Sequence, residues 1–180
     1  MKIYSAEIPD IKIIEYDKFE DSRGFFFESY NKKKYYELGD VEFVQDNFSK
    51  SIKGTIRGLH YQIEPFAQGK LCCVLVGKVI DVIVDIRKSS PTFGKHILIE
   101  LSDENNKQIY IPPGFAHGFA VLSDYCIFHY KCSKYYDKNS ERSIRFDDSD
   151  LNIKWGISNP IISEKDLKAP LLKEQKDLFK

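Results

Sequence analysis

His60 in Arg57-Gly58-Leu59-His60-Tyr61-Gln62, His117 at the end of Pro112-Pro113-Gly114-Phe115-Ala116-His117, Lys70 and Tyr130 are the residues whose types and settings suit proton chemistry in this chain of 180 residues. Histidine, with an ordinary pKa of roughly 6.5, can accept a carbon-bound proton near neutrality, and a positioned acid or base contributes typically about 10² to 10⁴-fold. A lysine ammonium can stabilise an enolate, and a tyrosine on the other side can return a proton to the opposite face of the same carbon. Removal from one face beside a carbonyl and return to the other inverts the carbon.

Strands must carry these residues. Short β-rich runs separated by turn signals cover residues 11–16, 25–30, 42–49, 55–63, 71–76, 79–86, 96–101, 108–111, 117–122 and 125–133, and with 14% aromatic residues they predict an all-β sandwich or barrel. Gly77-Lys78, between two of these runs, predicts a type II′ hairpin turn with antiparallel pairing of its flanking strands. A helix is expected over residues 32–38, with Asn31 as N-cap and Gly39 past its end. From Pro160 onward the chain is charged and amphipathic, which predicts a short helix or two against the barrel wall. No repeat or linker divides residues 1–180, so a single domain is expected.

Strand alternation sorts the candidates by face. In residues 125–133 the apolar face is Cys126, Phe128, Tyr130 and Cys132, which turns Tyr130 inward and His129 outward. Ile97, Ile99 and Leu101 leave His96 outside, so His96 and His129 read as surface residues. His60 shares a face with Ile56 and Gln62. Strict alternation puts Arg57 on the opposite face, unless Gly58 marks a β-bulge. Asp81 and Asp85 read as a structural polar pair, with support of His117 by one of them as the other reading.

Composition narrows the partners. The 27 basic and 27 acidic residues cancel, so nothing suggests nucleic acid or an anionic membrane, and any anion must be held by a few placed side chains. Residues 1–10 carry no apolar leader segment, and the longest apolar run, Leu71 to Val76, is far shorter than the roughly 20 residues of a membrane span. A cytoplasmic location is expected. Cys72, Cys73, Cys126 and Cys132 fall in strand-like runs without a C-x-x-C pair, and read as reduced core thiols.

Pro112 to His117 has the P-x-G-x-x-H spacing of the second cupin motif. Metal-binding cupins carry H-x-H and a nearby glutamate in their first motif, whereas here the triplet is His60-Tyr61-Gln62, and Phe66 and Ala67 stand where the glutamate would. Two histidines alone make a poor first shell for zinc or iron, so no metal and no other cofactor is expected.

Eight stretches in order carry a closer likeness: residues 21–28 (DSRGFFFE), 43–47 (FVQDN), 57–62 (RGLHYQ), 68–71 (QGKL), 84–94 (VDIRKSSPTFG), 111–119 (IPPGFAHGF), 130–136 (YKCSKYY) and 163–166 (SEKD). In these the chain resembles the dTDP-4-dehydrorhamnose 3,5-epimerases, metal-free cupins. The resemblance implies a cupin-type jelly roll with a few short peripheral helices, a homodimer, and a place in dTDP-L-rhamnose biosynthesis for cell-surface polysaccharide. It implies His60 as base oriented by Asp166, Tyr130 as acid, and Lys70 at the enolate oxygen. His117 would touch the sugar, while Arg23, Glu28, Gln45, Asp46, Asn47 and Arg57 would line the nucleotide and diphosphate end. Tyr136, Glu141 and Lys165 would lie nearby, with the choice between Tyr135 and Tyr136 open. The expected substrate is dTDP-4-dehydro-6-deoxy-D-glucose, a dTDP-4-keto-6-deoxy sugar nucleotide. A single-site C3 or C5 epimerase of a related nucleotide sugar is the alternative.

Overall fold

Residues 70–76 and 79–86 are apolar at almost every position because both faces of their strands are covered. The computed structural model, which describes all 180 residues, has thirteen strands. They are β1 (Lys2–Ser5), β2 (Lys12–Glu15), β3 (Lys18–Asp21), β4 (Gly24–Phe27), β5 (Gln45–Ile52), β6 (Ile56–Gln62), β7 (Lys70–Val76), β8 (Lys78–Asp85), β9 (His96–Ser102), β10 (Lys107–Ile111), β11 (Phe115–Val121), β12 (Tyr125–Cys132) and β13 (Glu141–Ser143). One sheet has the order β1-β2-β10-β7-β12-β5 and the other β13-β6-β11-β8-β9, with every strand pair antiparallel. Strands β3 and β4 form a separate hairpin. The fold is an all-β jelly roll, as the sequence predicts.

Between the two sheets lies a core of 15 buried residues, among them Cys72, Val74, Ile83, Leu101, Ile109, Phe119 and Phe128. Phe119 and Phe128 stack across it with ring centroids 4.3 Å apart. The outer face of the five-stranded sheet, including Leu59, Val82, Val84 and Ala116, is covered by Leu151, Trp155 and Leu172 from the carboxy-terminal segment. That segment contains α1 (Glu164–Leu167) and a 3₁₀ turn at Leu172–Glu174, the expected short helices. Tyr35 and Leu38 cover Ile14, Leu71 and Tyr110 on the other sheet.

Several local expectations are corrected. β7 and β8 do not form a hairpin: β7 lies between β10 and β12, and β8 between β11 and β9. Gly77 turns the chain from one sheet to the other at φ 85°, where a Cβ would lie 2.2 Å from the Tyr125 carbonyl oxygen. The Gly77 and Lys78 N–H groups donate to Asp103 Oδ2 (3.0 Å) and Ser123 Oγ (2.8 Å), side chains distant in sequence. Residues 32–38 wind only into turns and a 3₁₀ helix at Tyr36–Leu38, although Asn31 Oδ1 does accept the Lys33 N–H and Gly39 does follow at positive φ. His129 points out of the sandwich but is buried, stacked on Phe48 at 4.6 Å with Cys73 Sγ 3.6 Å from its Nδ1. Burial lowers its pKa, against the pull of Asp46. His96 stays partly exposed, and all four cysteines are free and buried, as expected.

Candidate active site

Arg57 and His60 face the same way because β6 bulges. Opposite β11, His60 pairs with His117 and Arg57 with Phe119, so Gly58 and Leu59 together oppose Gly118 alone. Gly58 adopts φ +125°, and a Cβ on it would lie 2.5 Å from Gly118 Cα and 2.8 Å from the His117 carbonyl oxygen, so only glycine fits. The bulge sends Leu59 into the outer core and brings Arg57 and His60 to the space between the sheets.

His60 Nε2 lies 2.6 Å from Asp166 Oδ1. Asp166 sits in α1, where Ser163 caps the helix by accepting its N–H at 3.1 Å, and Oδ2 lies 3.5 Å from the Gly58 N–H. Burial pushes the Asp166 carboxyl upward, but the hydrogen bond and charge of His60, with Gly58 and Ser163, outweigh it and hold the carboxyl below its ordinary value. An ionised Asp166 can only accept, so neutral His60 carries its proton on Nε2 and leaves Nδ1, which has no protein partner, as the basic nitrogen.

His117 has its own carboxylate: Nε2 lies 2.9 and 3.0 Å from the two oxygens of Asp81, which is fully buried. Asp81 therefore supports His117. Asp85 instead binds Arg87, Ser90 and Thr92, and burial is outweighed by these donors, which lower its carboxyl to about 2. No three His, Cys, Asp or Glu side chains converge on a geometry that could hold a metal ion.

The other sheet supplies the facing wall. Tyr130 packs against the inter-sheet core, and burial, with smaller contributions from Cys132 and Cys72 and against the opposing charge of Arg57, pushes its hydroxyl up to about 12. It stays protonated at neutral pH. Lys70 pairs with Cys132 on the adjacent strand, shares a face with Cys72 and Val74, and has no carboxylate within 4 Å. Gln45 and Asn47 of β5 lie opposite Cys132 and Tyr130. They are linked to each other at 3.0 Å, and Gln45 Oε1 accepts the Tyr136 N–H at 2.8 Å. At the rim, Glu141 accepts from the Tyr136 hydroxyl (2.9 Å) and from Lys165 (2.5 Å); burial pushes its carboxyl up, but Lys165 and Tyr136 outweigh this and hold it below its ordinary value. Tyr136, not the more exposed Tyr135, joins this network.

Three expected residues lie elsewhere. Asp46 has the opposite strand parity from Gln45 and Asn47, so it faces outward and pairs with Lys131 at 2.7 Å. Arg23 stands at the tip of the β3–β4 hairpin, 88% exposed and paired with Asp21. Glu28 binds Lys34 and Asn31. One residue that the sequence reading missed is Ser51, whose Oγ accepts from Arg57 Nε at 2.9 Å; its parity along β5, shared with Gln45 and Asn47, is the available signal. Ser51, Arg57, His60, Ser163, Lys165 and Asp166 line a cavity of about 560 Å³.

A family model described as dTDP-4-dehydrorhamnose 3,5-epimerase matches residues 5–174. The chain is 56% identical over 169 residues to the dTDP-4-dehydrorhamnose 3,5-epimerase of Shigella flexneri, covering 93% of each. The crystal structure of the Legionella pneumophila dTDP-6-deoxy-D-glucose-3,5-epimerase in complex with dTDP-4-keto-L-rhamnose superposes with a TM-score of 0.92, at 51% identity over 96% of this chain and 93% of that one. A 3′-monoepimerase from Streptomyces bikiniensis, solved with dTDP-quinovose, gives 0.89 at 30% identity over 94% and 87%. With the family model matched over residues 5–174 and relatives alike over nearly the whole chain, the protein belongs to the dTDP-4-dehydrorhamnose 3,5-epimerase family.

Proposed function

We propose that the chain converts dTDP-4-dehydro-6-deoxy-D-glucose to dTDP-4-dehydro-L-rhamnose with His60 as the base and Tyr130 as the acid. The 4-keto group acidifies the protons at C3 and C5. His60 Nδ1 takes each proton, and Asp166 stabilises the imidazolium that forms. Lys70, free of any carboxylate, meets the enolate oxygen as its charge develops. Tyr130, on the opposite sheet, returns a proton to the other face of the ring, and His117 positions the sugar. Gln45, Asn47, Arg57, Tyr136, Glu141 and Lys165 take the nucleotide and diphosphate.

The observation that supports this reading is a carboxylate-backed histidine on one sheet and, on the inward face of the other sheet, a tyrosine that stays protonated. Self-association and location belong to the same proposal. Phe19, Phe25 and Phe26 stand more than half exposed on the β3–β4 hairpin, an apolar patch suited to docking a second copy. Arg23 and Glu28 remain substrate-binding groups only as deliveries from such a copy. Asp46 is withdrawn from the set. Four free buried cysteines suit the reducing cytoplasm.

Incubation with the substrate in D₂O tests the chemistry. Deuterium at C3 and C5 in the wild type, absent in His60→Ala, is the expected result. The likeness to a monoepimerase favours a second reading, epimerisation at one carbon, since one base and one acid serve either case. Label at a single carbon would select it.

A further inference from the structure

Arg57 differs from every other arginine in the chain. Arg23, Arg87, Arg142 and Arg145 pair with Asp21, Asp85, Asp177 and Asp147. Arg57 has no carboxylate partner, and its side chain makes one hydrogen bond, from Nε to Ser51 Oγ. Ser51 is buried, 5% exposed, on the face of β5 that looks into the lumen. A bond at Nε fixes the plane of the guanidinium while both terminal nitrogens stay free as a fork. Because the hydroxyl is neutral, it orients the fork without cancelling its charge. A carboxylate in the same place would compete with an arriving anion.

We propose that Ser51 is a positioning residue for the substrate's diphosphate, holding the Arg57 fork toward the cavity so that its terminal nitrogens meet phosphoryl oxygens. This rests on the reading that Arg57 binds the diphosphate. Arginine carries considerable rotamer freedom, and a fork already aimed loses less of it on binding. Ser51 therefore acts on affinity for phosphates and touches neither the sugar nor the base.

Calorimetric titration of the folded enzyme with dTDP and with thymidine, which lacks the phosphates, separates the possibilities. Ser51→Ala weakens dTDP about tenfold, the size of a lost hydrogen bond to a charged group, and shifts thymidine by less than about twofold. In turnover, KM rises more than kcat falls, and Ser51→Thr restores both. Ser49 is the control: it lies two residues away on the same face, and its buried hydroxyl has no hydrogen-bond partner. Ser49→Ala stays within about twofold of the wild type for both ligands. In an Arg57→Ala background, Ser51→Ala has no further effect on dTDP.

Equal weakening of dTDP and thymidine by Ser51→Ala, no weakening of either, or a full effect persisting without Arg57 would each overturn the positioning role. Undiminished dTDP binding by Arg57→Ala would instead overturn the diphosphate reading, and the proposal with it.

Discussion

His60 and His117 lie opposite each other on neighbouring strands and both hold a carboxylate through Nε2, yet the two pairs are built differently. Asp81 comes from β8, the strand next to His117, and this pair is closed off, with 8% of the histidine and none of the aspartate side chain exposed. Asp166 comes from the tail, 106 residues away, and His60 keeps 31% of its side chain open. An enclosed pair has its geometry fixed by the sheet and offers a substrate only an edge of the imidazole. The open pair has a free Nδ1 facing a cavity. In the proposed function the same two residue types serve as an orienting group in one place and a base in the other, and the difference lies in access.

The largest effect expected from this contrast is on turnover. His60→Ala lowers kcat/KM by about 10³-fold or more, whereas His117→Ala lowers it by about tenfold. Stability runs the other way. His117→Ala leaves Asp81 buried without its partner and costs about 3 kcal/mol, or roughly 8 °C in Tm. His60→Ala opens Asp166 to lumen water and costs about 1 kcal/mol. Thermal melts and rates of the two variants check both halves, and equal losses in the two would remove the distinction.

Asp166→Asn comes next, with kcat lower by about 10²-fold. The amide can donate to Nε2 and so turn the proton of His60 to Nδ1, the nitrogen that must be bare. Asp81→Asn, at the closed pair, changes kcat by less than about fivefold. A rate for Asp81→Asn as low as that of Asp166→Asn would mean that His117 also moves protons.

How much of this was legible depended on the range of the interaction. The inward setting of Tyr130 followed from two-residue alternation, because its strand is buried on a defined face. For His60 alternation misleads, since it groups the residue with Ile56, and the bulge leaves Ile56 in the outer core while His60 turns inward. Arg57 could not be placed until Gly58 was seen against Gly118, since a bulge is decided by the facing strand. Gly77 read as a hairpin because its local signal is that of any tight glycine turn, while its actual partners, Asp103 and Ser123, come from other loops. His129 was assigned outward correctly, but nothing in its own strand announces that Phe48 covers it. Asp166 came from family resemblance alone: no periodicity joins a short tail helix to a strand 106 residues earlier.

On the alkaline side the expected change is small. Burial raises the Tyr130 hydroxyl to about 12, so raising pH removes its proton only near that value. The kcat profile therefore stays level to at least about pH 10. A limb between about pH 8 and 10 that disappears in Tyr130→Phe would show that the bound tyrosine titrates within reach.

The smallest effect concerns the pH dependence of stability at the open pair. Asp166 is held below its ordinary value in the folded chain: burial opposes ionisation, and His60, Gly58 and Ser163 overcome it. A carboxyl with a lowered folded pKa binds protons more readily in the unfolded chain, so its stabilisation is fully present above the ordinary value of 3.8 and is lost as pH falls through the folded one. The Tm gap between wild type and Asp166→Asn should be widest near neutrality and shrink below about pH 4. A gap that stays constant to about pH 2 would mean that Asp166 is held by packing rather than by its charge. In that case the contrast between the two pairs would rest on lumen access alone, with no separate electrostatic part for His60 in docking the tail.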